Sequence, residues 1–138
     1  MSDIYVLDAC ALIAFLKKVE GCLVVAEIFE KAFEKKCVVY MHAATIAEVY
    51  YDTLRSSNKE EAGRFLNTLK SLPITKSTNL NNNFIELIGH YKVNYKISFA
   101  DCFVLALAAV KNAILISSDH HEFDAIENST YLQLKWIR

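Results

Sequence analysis

Residues 98–119, with the sequence SFADCFVLALAAVKNAILISSD, decide the fold class of this chain. The first part, over 99–112, is apolar on nearly every side, which predicts a buried helix. The second part, over 113–116, is a short apolar run that predicts a strand covered on both faces. A buried helix that leads into a buried strand is typical of an α/β protein with a parallel sheet.

The same alternation of short apolar and amphipathic segments runs along the whole chain. Strands are predicted at residues 4–7, 37–41, 72–75, 113–116 and 131–134. Helices are predicted at residues 11–16, 22–36, 43–55, 59–69, 80–92, 99–112 and 120–126. Pro73 marks the strand at 72–75 as an edge strand. We therefore expect a three-layer α/β/α sandwich with a mostly parallel central sheet, built as a single domain over residues 1–138.

Composition excludes several broad classes of protein. Hydrophobic residues make up 54% of the 138 residues and charged residues 22%, which argues against disorder. The formal net charge of −1 lacks the strong basic excess of a typical nucleic-acid-binding domain. The four cysteines include no C-x-x-C pair, so we expect reduced thiols. Asp3 and Asp8 interrupt the first apolar run, and no run approaches a membrane span; we expect a cytoplasmic protein without membrane contact.

Four acidic residues stand in or beside otherwise apolar sequence. Asp8 follows the first predicted strand, and Asp119 follows the strand at 113–116. Glu48 lies in the helix after the second strand, and Asp101 begins the helix at 99–112. Ligand sites in parallel α/β sheets form beyond the carboxyl ends of the strands, so these acids are candidates for one shared site.

The alternative interpretation is that each acid begins a helix. Thr45 and Glu48 fit a capping box, and Ser98 and Asp101 have the same spacing. Asp8 and Asp119 fit N-caps, with Glu122 three residues after Asp119. Capping accounts for each acid singly, but it does not explain why all four recur in matching apolar settings.

If the four acids converge, their mutual repulsion requires either raised pKa values or a bound cation. Mg²⁺ and Mn²⁺ prefer carboxylate and water oxygens. One or two such ions can activate water and stabilise the leaving oxygen in the hydrolysis of a phosphodiester.

Four motifs, in this order and spacing, resemble those of the PIN-domain family and, within it, of the VapC-like toxin ribonucleases. The motifs are YVLDACALIAFL, TIAEVYYD, SFADCFVLALAAV and LISSDHHEFD, and together they cover nearly the full length of the chain. The resemblance implies a PIN-like α/β/α fold and an endoribonuclease that depends on Mg²⁺ or Mn²⁺. It also implies an RNA substrate, a small antitoxin partner and a homodimer.

The resemblance also implies roles for individual residues. The acidic quartet would be Asp8, Glu48, Asp101 and Asp119, with Asp8 and Asp101 as the most direct metal ligands. Ser117 would hold a metal-bound water or a phosphate oxygen. Asp124 would be an auxiliary acid, or a residue of the helix surface. Cys10 departs from the family pattern, which often has Ser, Thr or Asn there, so a local hydrogen bond of the site is in question.

Two other functions stay open at this point. One is a PIN-fold module that binds RNA or protein without cleaving, which the intact quartet argues against. The other is a phosphatase or phosphotransfer domain, but Cys10 stands where dehalogenase-type phosphatases need an aspartate. We assign the remaining candidates to ordinary structural roles, with RNA or partner contacts as the alternative. The basic and histidine candidates for solvated surfaces are Arg55, Lys59, Arg64, Lys92, Lys96, His120 and His121. The aromatic candidates for the core include Phe29, Phe33, Tyr50, Tyr51 and Phe65.

Overall fold

The computed structural model describes residues 3–127 and 132–138, and its centre is a five-stranded parallel sheet. The strands are β1 (Asp3–Leu7), β2 (Cys37–His42), β3 (Ile74–Ser77), β4 (Ile114–Ser117) and β5 (Gln133–Trp136). Their order is β3-β2-β1-β4-β5, and every neighbouring pair is parallel. The helices are α1 (Ala9–Lys17), α2 (Cys22–Phe33), α3 (Ala43–Ser56), α4 (Lys59–Ser71), α5 (Asn82–Asn94), α6 (Phe99–Lys111) and α7 (His120–Glu127).

The central strand β1 shows why the fold has three layers. Tyr5 and Leu7 pack into one buried cluster, with residues of α1, α2 and α3. Val6, between them in sequence, packs into a second cluster with residues of α5, α6 and α7. Alternate side chains of a strand point to opposite faces, so helices cover both faces of the sheet. The predicted α/β/α sandwich with a parallel sheet is confirmed.

The sheet positions a site between β1 and β4. The chain adds β2 and then β3 on one side of β1, and β4 and then β5 on the other. Such a reversal of strand order leaves a crevice at the carboxyl ends of the two central strands. Asp8 and Ser117 stand at this edge, and the Asp8 amide donates to the Ile116 carbonyl at 3.2 Å.

The helix predicted at 43–55 does begin at Ala43, but Thr45 and Glu48 do not form its capping box. The N-cap is His42, whose ring accepts from the Ala44 amide at 3.0 Å. Thr45 is instead buried inside the first turn of the helix. At the start of α5 the N-cap is Asn81, whose side chain accepts from the Phe84 amide at 2.9 Å.

The strand at the predicted edge, β3, does lie at an edge of the sheet, but it begins after Pro73 rather than before it. The last strand covers Gln133–Trp136 instead of 131–134, and Tyr131 lies outside the described residues. No helix within the described ranges is long and apolar enough to cross a membrane.

Candidate active site

An open cleft of about 340 Å³ lies beyond the carboxyl ends of β1 and β4. All four of the acids singled out from the sequence line it, although they come from four different parts of the chain. They are Asp8, Glu48, Asp101 and Asp119. The cleft is also lined by Glu122 and Asp52, so six carboxylates face one space.

Asp8 is both a helix cap and a member of this cluster. Its carboxyl group is buried, with only 1% of the residue exposed. One oxygen, Oδ1, accepts from the Ala11 amide at 2.8 Å and caps α1. The other oxygen, Oδ2, accepts from the Ser117 hydroxyl. Capping and site formation are therefore not competing explanations for this residue.

Ser117 joins two of the acids. Its fully buried hydroxyl donates to Asp8 Oδ2 and accepts from the Asp119 amide at 2.9 Å. The sequence motif implied that this hydroxyl holds a water or a phosphate oxygen. In the structure its contacts are with Asp8 and Asp119, and they fix the residues after β1 and β4 relative to each other.

Asp101 is buried in the first turn of α6, where Ser98 is the N-cap. The Ser98 hydroxyl accepts from the Asp101 amide at 3.1 Å and donates to Asp101 Oδ2 at 2.9 Å. In a complete capping box the acid would accept from the Ser98 amide. Here Glu122 Oε2, from α7, accepts that amide at 3.3 Å, so Asp101 is not used to close the box.

Glu122 is a candidate site residue that the sequence analysis assigned only to helix capping. Carboxylate oxygens of Asp101, Asp119 and Glu122 lie within 4.8 Å of one another. The Asp119 carboxylate accepts from the Glu122 amide at 3.2 Å, as expected for an N-cap of α7. The sequence does place Glu122 three residues after Asp119, but this spacing is also that of a helix N-terminus and so did not indicate a site residue.

The electrostatics of the cleft show that the acids lack compensation. Burial, augmented by the charges of Asp119 and Glu48, raises the pKa of the Asp8 carboxyl to about 7 despite its hydrogen bonds. Burial also raises the pKa of Asp101 to about 7, with further contributions from Glu48 and Glu122. The pKa of Glu48 is raised by burial and by neighbouring carboxylates.

The donor set fits a hard divalent cation. The converging groups are carboxylates, which Mg²⁺ and Mn²⁺ prefer, and a bound cation would reverse the repulsion that raises their pKa values. Asp101, Asp119 and Glu122 are close enough together to share one ion. Asp8, linked to Asp119 through Ser117, stands at the buried end of the same group.

Cys10 occupies the position at which the motif departs from its family. Its Sγ lies 3.9 Å from Asp119 Oδ2, so the thiol takes the contact that was in question. Burial, together with the charges of four nearby acids, raises the pKa of this thiol to about 12. Because the thiolate is the reactive form, Cys10 is not suited to nucleophilic attack.

Asp124 lies apart from the cluster, on the exposed face of α7. Its Oδ1 contacts Nδ1 of His120 at 2.8 Å, and it is not among the residues that line the cleft. His120 also stacks on Trp136 with the ring centroids 3.7 Å apart. This group therefore connects α7 to β5.

Comparisons with known proteins agree with this architecture. The family model for the PIN domain matches residues 5–128. No curated protein matches the chain. A chain of VapBC2 from Rickettsia felis, bound to a promoter DNA fragment, is 24% identical with a TM-score of 0.69, covering 96% of this chain and 98% of that one.

Two further structures share the fold at lower identity. A chain of DNA-bound VapBC from Salmonella typhimurium is 14% identical with a TM-score of 0.71, and the match covers 100% of both chains. VapC20 from Mycobacterium tuberculosis, a toxin that cleaves the sarcin-ricin loop, is 18% identical with a TM-score of 0.56, covering 82% of this chain and 87% of that one. From the family match over most of its length, this chain belongs to the PIN domain family.

Proposed function

We propose that this protein is an endoribonuclease that depends on Mg²⁺ or Mn²⁺ and hydrolyses phosphodiester bonds in RNA. The observation that carries the proposal is the convergence of Asp8, Glu48, Asp101, Asp119 and Glu122 in one cleft, where Arg55 is the sole cationic side chain among the described lining residues. Two of these carboxyls have a pKa of about 7, which means that the folded protein holds them ready to exchange protons for a metal ion near neutral pH.

The acids divide into two roles in this proposal. Asp101, Asp119 and Glu122, with Asp8, would hold one or two ions; when bound, such an ion polarises a phosphoryl oxygen and lowers the pKa of a water. Glu48 is half-buried on α3, and its raised pKa suits it to orient the attacking water and accept its proton. Ser117 keeps Asp8 and Asp119 in register.

The biological setting is part of the same proposal. The chain shares its fold with chains of VapBC structures and with a toxin that cleaves the sarcin-ricin loop, which supports a toxin role with an RNA substrate and a small antitoxin partner. We extend the proposal to a homodimer that acts in the cytoplasm.

The test is cleavage of RNA in the presence of chelator, Mg²⁺ or Mn²⁺, with wild type, Asp8→Asn and Asp101→Asn compared. Asp124→Asn is the matched control, because it makes the same chemical change at an acid of α7 that does not line the cleft. We expect cleavage only with metal, and only by wild type and the control. Equal cleavage by all four proteins, or cleavage in chelator, would contradict the proposal. RNA that is bound but never cleaved would favour a binding module.

A further inference from the structure

One face of α3 extends the cleft beyond the acids. Glu48, Tyr51, Asp52 and Arg55 are spaced i, i+3, i+4 and i+7, which puts them on one side of a helix. All four line the cleft, and we call them the α3 wall. Seven residues of helix span about 10 Å, so the wall leads from the acids to a point about 10 Å away along the axis.

Tyr51 contributes an exposed aromatic ring to this wall. Its side chain is 60% exposed, whereas its neighbour Tyr50 packs against the buried cluster. The sequence assigned Tyr51 to the core, and that assignment is wrong. A large aromatic ring that contributes little to the core, and that faces a cleft, is available to stack on a ligand.

Arg55 supplies the positive charge of the α3 wall. Its guanidinium lies 5.6 Å from the centroid of the Tyr51 ring and is held there by Asp52 at 2.6 Å. The Arg55 side chain is 64% exposed. Among the described residues that line the cleft, Arg55 is the sole cationic side chain. Because the acids repel a polyanion, a cation at the outer end of the wall is where a phosphate would be favoured.

We propose that Tyr51 and Arg55 form a nucleotide subsite for single-stranded RNA. A base stacks on the open side of the Tyr51 ring, and the Arg55 guanidinium pairs with a phosphate of the same strand. Asp52 presets the guanidinium beside the ring. This inference rests on the proposed nuclease function and deepens it by naming the form of RNA that the site accepts. Paired bases in a duplex are not free to stack on a side chain, so the subsite selects unpaired RNA.

The competing occupant of this wall is a protein partner. The arrangement favours RNA because the ring and the guanidinium are combined on one wall of the same cleft as the acids. Aromatic stacking together with an arginine–phosphate contact is the usual way in which proteins hold single strands.

The binding test uses fluorescence anisotropy with a labelled single-stranded RNA of mixed sequence and with the same RNA annealed to its complement. Every protein carries Asp101→Asn so that the RNA stays intact. The variants are Tyr51→Leu, Tyr51→Phe and Arg55→Gln. The matched controls are Phe33→Leu, an aromatic residue that is 63% exposed outside the cleft, and Arg64→Gln, an arginine that is 62% exposed and paired with Glu60 and Glu61 on α4.

We expect Tyr51→Leu to weaken binding of the single strand by about tenfold, while Tyr51→Phe retains it, because stacking needs the ring and not the hydroxyl. Arg55→Gln should weaken binding by about fivefold and reduce its dependence on salt. Duplex binding and both controls should be unchanged. In the cleavage-competent protein, Tyr51→Leu should raise KM and leave kcat unaltered.

The subsite is overturned if Tyr51→Leu binds the single strand as tightly as the parent, if Phe33→Leu loses as much, or if the parent does not bind single-stranded RNA. These results are distinguishable from failure of the nuclease. Metal-dependent cleavage that is lost in Asp101→Asn but unaffected by Tyr51→Leu retains the nuclease and rejects the subsite. Ring-dependent binding by a wild-type protein that never cleaves retains the subsite and rejects the nuclease.

Discussion

The two sides of the cleft are built in opposite ways. One side, which we call the acidic floor, consists of Asp8, Asp101, Asp119 and the linking Ser117, which are mostly buried. Asp8, Asp119 and Ser117 accept from backbone amides, and the Asp101 carboxylate accepts from the Ser98 hydroxyl. The other side is the α3 wall, whose Tyr51 and Arg55 are exposed and held only by side-chain contacts. Buried carboxylates with raised pKa values destabilise the fold, which fits groups retained for the proposed chemistry. The exposed Tyr51 ring and Arg55 guanidinium belong to the proposed RNA subsite.

The largest expected effect is on the floor, from Asp101→Asn. Asparagine keeps an oxygen for the Ser98 hydroxyl, so the fold should be retained. Loss of a metal ligand removes several kcal/mol of transition-state stabilisation, which corresponds to a loss of ~10³-fold or more in cleavage rate. Single-turnover cleavage with saturating Mn²⁺ measures this. A loss of less than tenfold would place the chemistry elsewhere than on the floor.

Ser117→Ala tests whether the floor depends on its internal link. The substitution removes the two hydrogen bonds through which the Ser117 hydroxyl links Asp8 to the Asp119 amide. Outer-shell partners of a metal site typically contribute about 10- to 100-fold in affinity or activity. We expect a loss in that range, seen in Mn²⁺ affinity as well as in kcat. Ser118→Ala is the control, because the Ser118 hydroxyl is buried and has no hydrogen-bond partner in the described part of the chain. Equal effects of the two substitutions would show that the link does not matter.

The metal-free protein should lose stability as the pH rises. Asp8 and Asp101 have a pKa of about 7 when folded and about 3.9 when unfolded, so the folded state binds more protons between these values. The free energy of unfolding therefore falls from pH 5 to pH 8, on the order of 1–3 kcal/mol. Denaturant titration in chelator measures it, and Mn²⁺ at pH 8 should restore the loss.

The matched comparison for this pH dependence is Asp101→Asn. His120, whose pKa is raised by the Arg138 carbonyl and by Asp124, changes stability in the same direction and is unaltered by the substitution. The variant should therefore show a shallower decline than wild type. Wild-type stability that is flat or rising between pH 5 and pH 8 would contradict the raised pKa values.

The smallest effect is expected for Glu122→Gln. Glutamine can still accept from the Ser98 amide, so the contact between α6 and α7 is kept and only a partly exposed charge is lost. A charge of this kind contributes about 1 kcal/mol, or about fivefold in Mn²⁺ affinity. Glu86→Gln, on the exposed face of α5, is the control. An unchanged affinity would exclude Glu122 from the metal site.

The floor was largely predictable from sequence and the wall was not. Asp8, Asp101 and Asp119 stand out because each interrupts or borders apolar sequence near a strand end. Tyr51 and Arg55 look like any residues of an amphipathic helix, and they come to line the cleft only when α3 is packed against α1 and α6. The spacing of residues in a helix shows which of them share a face, but it does not show which other elements that face contacts.

The failed capping box has the same origin. Thr45 and Glu48 satisfy the local pattern, but the position of β2 decides where α3 begins. His42, at the end of β2, bonds to the Asn79 carbonyl at 2.9 Å and packs against Phe84 and Phe103. These long-range contacts fix its ring as the cap, and no local motif encodes them.

The measurement that tests the central claim most directly is calorimetric titration of Mn²⁺ into wild type and Asp101→Asn at pH 8 and at pH 6. If the converging acids form a metal site, wild type binds Mn²⁺ at pH 8 with little release of protons. At pH 6 it binds more weakly and with release of protons, because Asp8 and Asp101 are then largely protonated. Asp101→Asn should bind far more weakly at both pH values. Absence of binding at millimolar Mn²⁺, or equal binding by the two proteins, would contradict the claim.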